Sequence, residues 1–225
     1  MSRSQPDLRR QAQDFAGELS DLLNGTVTDG IRIRAIMHKD GRAFVGFRIS
    51  QEHPRGEAVP LTISRSAARL SLKIIQTLEL DPERRYLTTT KSAYTIASAG
   101  DGLPVLTYDY VRVPTNQYPA AHLHVHGDVQ RCQHILNICG HERRRPVDLH
   151  LPVGGRRFRP SLEDLIEFCI LEDLVTPRPD WHKTLEASRT RFHFQQLRAM
   201  VRRDPDTAAE ELRDIGWTST APSDT

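Results

Sequence analysis

The sequence predicts an α+β fold in which helices cover one face of an antiparallel sheet. Alternating apolar and polar residues, separated by short turn sequences, follow one another from about residue 28 to residue 126 without a helical pattern between them. Helical periodicity dominates before and after this stretch. Because strands joined by short turns pair antiparallel, this order predicts an antiparallel sheet of about six strands, with helices packed on one face.

The first predicted element is an amphipathic helix over residues 6–23, whose apolar side chains recur at helical spacing. The pair Asn24-Gly25 follows it directly. Glycine or asparagine just beyond the last apolar residue is typical of a helix C-terminus, because both residue types adopt a positive φ at low cost. We therefore expect this helix to end at Asn24-Gly25 and to pack one stripe against the core.

The predicted sheet begins with a β-hairpin. The segment IRIRAIMHKDGRAFVGFRIS contains two apolar runs on either side of Asp40-Gly41, and Asp-Gly favours the tight turn of a hairpin. Three further segments have the alternation, or the β-branched and aromatic content, of strands: RLSLKIIQTLEL, YLTTTKSAYTIAS and VLTYDYVR. The histidine-rich segment AHLHVH is the last predicted strand.

Helical patterns resume at Asp128, which is the expected N-cap of a helix over residues 129–139. Ser161 begins a further helix, in which Asp164 completes a capping box. Apolar residues lie nearly all round this helix, so we expect it to be buried. Two more helices are predicted over residues 181–203 and 205–215.

These elements predict a single α+β domain over residues 1–217. Its N-terminal helix and sheet occupy residues 6–127, and its helical lobe occupies residues 128–217. The last eight residues, 218–225, have no periodic pattern and are expected to form a disordered tail.

The composition favours a cytoplasmic protein without a membrane partner. Hydrophobic residues make up 38% of the chain, but no run approaches the roughly 18 apolar residues of a membrane span. The first residues lack the apolar region of a signal peptide, and three cysteines are too few for a disulfide framework. The net charge is only +2, while 27 arginines stand against 4 lysines, a bias typical of a GC-rich bacterial genome.

Three histidines alternate with apolar residues in AAHLHVHGD, residues 120–128. They are His122, His124 and His126. Side chains alternate between the two faces of a strand, so the imidazoles share one face and the apolar residues face the helices. Neighbouring histidines have Cα atoms about 7 Å apart, so two can share one zinc ion whereas all three need a bend. A metal site would need further ligands, such as Asp109, His150 or water, and a divalent metal stays an open alternative.

A phosphate-binding surface is predicted close to these histidines. The strand leads into the helix N-terminus at Asp128, where backbone N–H groups favour anions. The loop sequence VGGRRFRP adds three arginines, whose guanidinium groups match phosphate geometry, beside a phenylalanine that could stack on a base. The predicted phosphate-binding residues are Arg156, Arg157 and Arg159. A solvated loop paired with the acidic helix that follows is an equally good interpretation.

The histidine segment resembles the motif of histidine-triad (HIT) nucleotide hydrolases and transferases, His-φ-His-φ-His-φ-φ, over about eight residues. Gly127 and Asp128 stand where the motif has two apolar residues. The resemblance implies that His124 attacks phosphorus, while His122 and His126 orient it and bind phosphate.

The longer segment TYDYVRVPTNQYPAAHLHVHGD, followed by PSLEDLIEFC, resembles the layout of TumE-like toxins of bacterial toxin–antitoxin systems, over approximately residues 105–170. Their Tyr-Asp-Asn corresponds to Tyr108-Asp109-Tyr110 here, which departs from the motif. This resemblance implies a growth-inhibiting protein that acts on RNA and has an antitoxin as its partner. The segment LHLPVGGRRFRP also resembles uncharacterised proteins of GC-rich bacteria, and this implies no function.

The preferred hypothesis is a histidine-dependent enzyme that cleaves phosphoester bonds in RNA or a nucleotide. His122, His124 and His126 are its predicted catalytic residues, and no residue is assigned as a metal ligand. The cofactor is left open, because no nucleotide-cofactor motif such as a Walker loop is present.

Two alternatives stand beside this hypothesis. The histidine row also fits an ordinary polar surface. From a different class, a non-catalytic interaction module would bind nucleic acid or a partner protein through arginine-rich surfaces. The helix over residues 181–203 carries one such stripe, formed by Arg191, Arg198 and Arg202.

Overall fold

A computed structural model describes residues 7–64, 67–115, 119–127, 133, 143, 145, 151–153 and 159–218. The helices with described bounds are α1 (Leu8–Thr26), α2 (Leu162–Leu171), α3 (Trp181–Arg203) and α4 (Pro205–Asp214). The described strands are β1 (Ile33–Met37), β2 (Ala43–Phe47), β3 (Ala58–Pro60), β4 (Leu70–Leu80), β5 (Leu87–Ser98), β6 (Pro104–Val111), β7 (Ala121–Val125) and β8 (Leu151–Pro152). The predicted α+β class is confirmed.

The strands form one open sheet in the order β1-β2-β4-β5-β6-β7-β8, and β3 pairs with β4. Each of these pairs is antiparallel. Strands β4, β5, β6 and β7 follow one another in the chain and in space, which is what short connections favour. The predicted antiparallel sheet is therefore confirmed.

The hairpin between β1 and β2 turns at Asp40-Gly41, as its sequence predicts. Gly41 has a φ of 84°, a conformation that glycine adopts without steric cost. The Gly41 N–H donates to the carbonyl oxygen of His38 at 3.1 Å, and the His38 N–H donates to that of Arg42 at 2.8 Å. This turn sets the register that pairs Met37 with Ala43.

Helices α1 and α2 contribute apolar side chains to one hydrophobic core that also includes one face of the sheet. The buried apolar residues of α1 are Ala12, Ala16, Leu19, Leu22 and Leu23. Those of α2 are Leu162, Leu165, Ile166 and Cys169. From the sheet, Leu72 of β4 and its partner Ile96 of β5 point into this core. Each fully buried leucine or isoleucine contributes about 1.5–3 kcal/mol, so this core dominates the stability of the sheet.

The predicted end of the first helix is wrong. Helix α1 continues through Asn24-Gly25 to Thr26. The Asn24 side chain bonds to the chain beyond the helix: its Nδ2 donates to the Ile31 carbonyl at 2.7 Å, and its Oδ1 accepts from the Ile31 N–H at 2.8 Å. A Cβ on Gly25 would lie 2.5 Å from Cγ2 of Thr184. Asn24 and Gly25 therefore make contacts with other parts of the chain, and the helix continues through them.

Helix α2 begins with the predicted capping box. The Ser161 Oγ accepts from the Asp164 N–H at 3.3 Å, and the Asp164 carboxylate accepts from the Ser161 N–H at 2.8 Å. Complete burial, however, was a wrong prediction, because Phe168 is 41% exposed and Leu171 is 70% exposed. One stripe of the helix, which includes Leu162, packs against the core, and the opposite side is exposed.

The chain divides into two compact units, the first ending at Leu185 and the second beginning at Glu186. The boundary falls inside α3, whose bounds agree with the predicted helix over 181–203. In the second unit, α4 begins at Pro205 as predicted, and the Asp204 carboxylate accepts from the Thr207 N–H at 3.2 Å. Exposed apolar residues of this unit include Phe194, Leu197, Met200, Val201, Leu212, Ile215 and Trp217.

Some predictions lie outside the described residues: the N-cap Asp128, the helix over 129–139 except residue 133, and all of the predicted tail except residue 218. Within the part of the chain that is described, none of the helices is long and apolar enough to cross a membrane.

Candidate functional site

His122 and His124 of β7, and His126 directly after this strand, lie on the face of the sheet opposite the core. In the β6–β7 pair, Leu123 stands beside Tyr108, which packs against the core, while His122 stands beside Asp109 and His124 beside Thr107. Residues paired across antiparallel strands share a face. The strands therefore place imidazoles, a carboxylate and a hydroxyl together, which is the orientation that the alternation predicts.

His122 is held in one orientation and one tautomer. Its Nδ1 lies 2.9 Å from the carbonyl oxygen of Pro119. A carbonyl oxygen can only accept, so Nδ1 carries the proton and donates it. In the neutral ring, Nε2 then carries the lone pair. His122 is 8% exposed, so the protein surrounds the ring in this orientation and little of it contacts solvent.

Asp109 faces His124 across the strand pair. Its Oδ2 lies 3.4 Å from Nε2 of His124, and both side chains are partly buried. The rings of His122 and His124 meet edge to face, with centroids 5.0 Å apart. One ligand atom from each of Asp109, His122 and His124 lies within 4.8 Å of the others. We call these three residues the His-Asp cluster.

His126 lies beside this cluster and has different partners. Its Nε2 lies 3.1 Å from Oγ1 of Thr107, which lies 3.1 Å from Oγ1 of Thr95. Burial, and then the neighbouring His124, lower the pKa of His126 below its ordinary value, against the opposing effect of Asp109. The three predicted catalytic histidines thus have two environments, with two in the His-Asp cluster and His126 on a threonine pair.

The predicted phosphate-binding arginines are not brought to these histidines within the described residues. Arg156 and Arg157 lie outside the described part of the chain. The guanidinium carbon of Arg159 lies 4.1 Å from the ring centroid of Tyr110. Tyr110 is buried and pairs with Ala121, so its ring lies on the core side of the sheet, opposite the histidines. His150 and the predicted anion site at Asp128 are also outside the described residues.

Asp109 belongs to the site but is not among the residues predicted to be catalytic or phosphate-binding. The sequence offers it only as a possible further metal ligand, and its neighbours Tyr108 and Tyr110 are more typical of core and cross-strand packing than of a site. The register of β6 against β7 places it beside His122. The group that orients His122 is the backbone carbonyl of Pro119. Every residue has a backbone carbonyl, so no sequence pattern identifies this partner.

Two imidazoles and a carboxylate support two kinds of chemistry. In proton transfer, the carboxylate orients one imidazole while the imidazoles accept and donate protons. As ligands, two imidazole nitrogens and one carboxylate oxygen form a donor set that is common for divalent transition metals.

Comparison with protein-family models, with curated proteins and with solved structures gives no match. The resemblances to the HIT motif and to TumE-like toxins stay predictions from the sequence, neither confirmed nor contradicted.

Proposed function

We propose that this protein cleaves phosphoester bonds in RNA or a nucleotide, and that the reaction takes place at the His-Asp cluster. The observation that supports the proposal most is the 3.4 Å approach of Asp109 Oδ2 to His124 Nε2. A carboxylate that orients an imidazole, next to a second imidazole with a defined tautomer, is an arrangement suited to proton transfer or to cation binding during phosphoester cleavage.

The geometry alters the role expected for His124. A histidine nucleophile must direct a ring nitrogen with its lone pair at phosphorus. Nε2 of His124 faces the Asp109 carboxylate. This contact favours His124 as an oriented proton carrier or a ligand over His124 as the attacking atom. Water or a substrate hydroxyl is then the attacking group.

The first experiment measures cleavage of RNA oligonucleotides and dinucleotides by the wild-type protein, by His124→Ala and by Asp109→Asn. The wild type should release product, and each variant should be slower by about 100-fold or more, as expected when general acid–base catalysis is removed. Matched controls are His53→Ala and Asp14→Asn, because both residues are exposed and lie away from β6 and β7. Parallel reactions with EDTA separate proton transfer alone from cation-dependent cleavage.

Two outcomes contradict the proposal. Folded wild-type protein that releases no product from RNA or dinucleotides shows that the cluster does not catalyse this reaction. Equal rates in wild type and both cluster variants show that the activity arises elsewhere.

The TumE-like resemblance adds a cellular test of the same proposal. A toxin that acts on RNA should arrest the growth of a bacterial host when its expression is induced. Asp109→Asn should relieve the arrest, whereas Asp14→Asn should not. Growth that is unaffected by wild-type protein, at an expression level verified by blotting, argues against the toxin role and its antitoxin partner.

A second candidate is a non-catalytic module that binds nucleic acid. Arg191, Arg198 and Arg202 are exposed on α3 within the second unit. Binding of fluorescent RNA should weaken when all three are changed to glutamine, and it should weaken as salt increases. The matched control changes three exposed arginines elsewhere, Arg9, Arg10 and Arg55. An equal loss in both triple variants would indicate a general charge effect and no dedicated surface.

A further inference from the structure

The His-Asp cluster offers three ligand atoms that could hold one metal ion. We propose that Asp109, His122 and His124 bind one divalent ion of the zinc type, through two imidazole nitrogens and one carboxylate oxygen. The binding itself does not depend on the phosphoester proposal. Only the use of the bound ion in cleavage rests on that proposed function.

The spacing of the ligand atoms agrees with this assignment. Zinc binds imidazole nitrogen and carboxylate oxygen at about 2.0–2.2 Å, so two ligands of a tetrahedral ion lie about 3.3–3.5 Å apart. Asp109 Oδ2 and His124 Nε2 are 3.4 Å apart, which matches that edge. The separations within the cluster do not exceed 4.8 Å. For a tetrahedral ion, the more widely spaced pairs of the cluster must close to about 3.5 Å.

The hydrogen bond from His122 to Pro119 is independent support. A histidine that binds a metal almost always donates its other ring N–H to a carbonyl or a carboxylate, which sets the tautomer and the ring orientation. Nδ1 of His122 donates to the Pro119 carbonyl at 2.9 Å. This bond places the lone pair on Nε2, the nitrogen that a metal would need.

The kind of ion follows from the donor atoms. Calcium and magnesium prefer sites made of oxygen ligands, whereas imidazole suits zinc, copper, nickel and iron. Three protein ligands are typical of catalytic zinc sites, in which water or substrate occupies the fourth position. A water bound there has its pKa lowered to about 7. The ion would supply the attacking group for the proposed cleavage in this way.

The backbone supports the site with little need for rearrangement. Asp109 and His122 are register partners, and His124 is two residues further along the same strand. Ladder hydrogen bonds of two paired strands therefore set the relative positions of all three Cα atoms. Sites on regular elements hold their geometry better than sites on loops.

The test measures metal binding without substrate. Full-length protein is stripped with EDTA, desalted and titrated with Co²⁺, whose visible absorption is intense when four ligands surround it in a tetrahedron. Zn²⁺ affinity is then measured by competition with a chromophoric chelator. We expect one equivalent to bind, and we expect Asp109→Asn and His122→Ala to weaken the affinity at least about 10-fold. His53→Ala and Asp14→Asn are the matched controls and should bind as the wild type does.

Thermal unfolding gives a second readout that does not require every variant to be stable. An ion that binds only the folded state raises Tm in proportion to the logarithm of its concentration. Zn²⁺ should raise the Tm of wild type, and less so that of Asp109→Asn, which preserves the shape of the side chain. Wild-type protein that binds no Co²⁺ or Zn²⁺, or an affinity unchanged in Asp109→Asn, overturns the inference. So does loss of binding in His126→Ala when Asp109→Asn binds normally.

The results separate this inference from the proposed function. Stoichiometric metal binding without any cleavage supports the metal site and contradicts the phosphoesterase. Cleavage that persists in EDTA-treated protein with no measurable metal affinity contradicts the metal site and leaves the phosphoesterase in place.

Discussion

The guanidinium carbon of Arg159 lies 4.1 Å above the ring of Tyr110, on the core side of the sheet. Arginine over an aromatic ring contributes about 0.5–2 kcal/mol, depending on how far the pair is desolvated. Because Tyr110 is buried, we expect the contribution to lie in the upper part of this range. The contact stabilises the sheet from the side that the histidines do not occupy.

We therefore predict that Arg159→Met lowers the free energy of unfolding by about 1–2 kcal/mol and leaves Co²⁺ affinity unchanged. Urea unfolding and the cobalt titration measure the two effects. Arg85 lies over Tyr86 at 5.8 Å with its side chain 60% exposed, so Arg85→Met is the matched control and should cost less. A loss of metal affinity in Arg159→Met would show that this arginine acts on the histidine face after all.

A buried hydrogen bond joins Gln76 and Tyr94 on the core face. Nε2 of Gln76 donates to the Tyr94 hydroxyl at 2.8 Å, and burial raises the pKa of that hydroxyl far above its ordinary value. Tyr94→Phe leaves the Gln76 amide without this partner, at a cost of about 1–3 kcal/mol. Tyr86→Phe, at a more exposed tyrosine, should change stability by less than about 0.5 kcal/mol.

Urea unfolding of Tyr94→Phe, Gln76→Leu and the double variant tests this bond. The double variant should be more stable than the sum of the two single losses predicts, because neither polar group is then left without its partner. Strict additivity would mean that the two groups do not interact.

Two glycines of α1 predict opposite effects of the same substitution. A Cβ on Gly17 meets nothing within 4 Å, so Gly17→Ala should stabilise the helix by about 0.5–1 kcal/mol. A Cβ on Gly25 would lie 2.5 Å from Cγ2 and 2.8 Å from Oγ1 of Thr184, so Gly25→Ala should destabilise the protein.

Thermal or urea unfolding of both alanine variants measures the difference directly. Adding Thr184→Ala to Gly25→Ala removes the two nearest atoms and should recover much of the loss. Equal effects at the two glycines would contradict the close approach of α1 to the start of α3.

The thiol of Cys169 should resist alkylation in the folded protein. It is buried in the core, and burial raises its pKa to about 11. Because the thiolate is the reactive form, we expect labelling by iodoacetamide at pH 8 to be far slower than in urea. Cys132→Ser/Cys139→Ser protein makes Cys169 the reporter, and mass spectrometry measures the rate. Rapid labelling of the native double variant would contradict burial of this thiol.

The same pKa predicts a direction for the alkaline stability of the protein. An unfolded cysteine ionises near pH 8.5, whereas folded Cys169 keeps its proton to about pH 11. The contribution of the neutral thiol is therefore fully present below about pH 8.5 and is lost as the pH rises towards 11. Urea midpoints measured across this range should fall less steeply for Cys169→Ala, which has no group to ionise.

The sequence by itself determined the α+β class and most strand positions. Alternation over 70–80 and 87–98, the Asp40-Gly41 turn and the Ser161 capping box all depend on neighbours within a few residues. Such local preferences act wherever the segment lies in the fold. The sequence also predicts that the three histidines share one face of the sheet, because side chains alternate between the two faces of a strand.

Tertiary structure alone decided which groups meet at the site and which do not. The pairing of Asp109 with His122 depends on the register between β6 and β7, and a shift of one residue would place the carboxylate on the core face. Arg159 belongs to the opposite side of the sheet because its guanidinium stacks on Tyr110, a contact across many residues of chain. Likewise, helix α1 continues through Asn24-Gly25. The Asn24 side chain bonds to Ile31 beyond the helix, and the absence of a side chain on Gly25 leaves room for Thr184. Non-local packing is stronger than local propensity at these positions, and a linear pattern does not contain it.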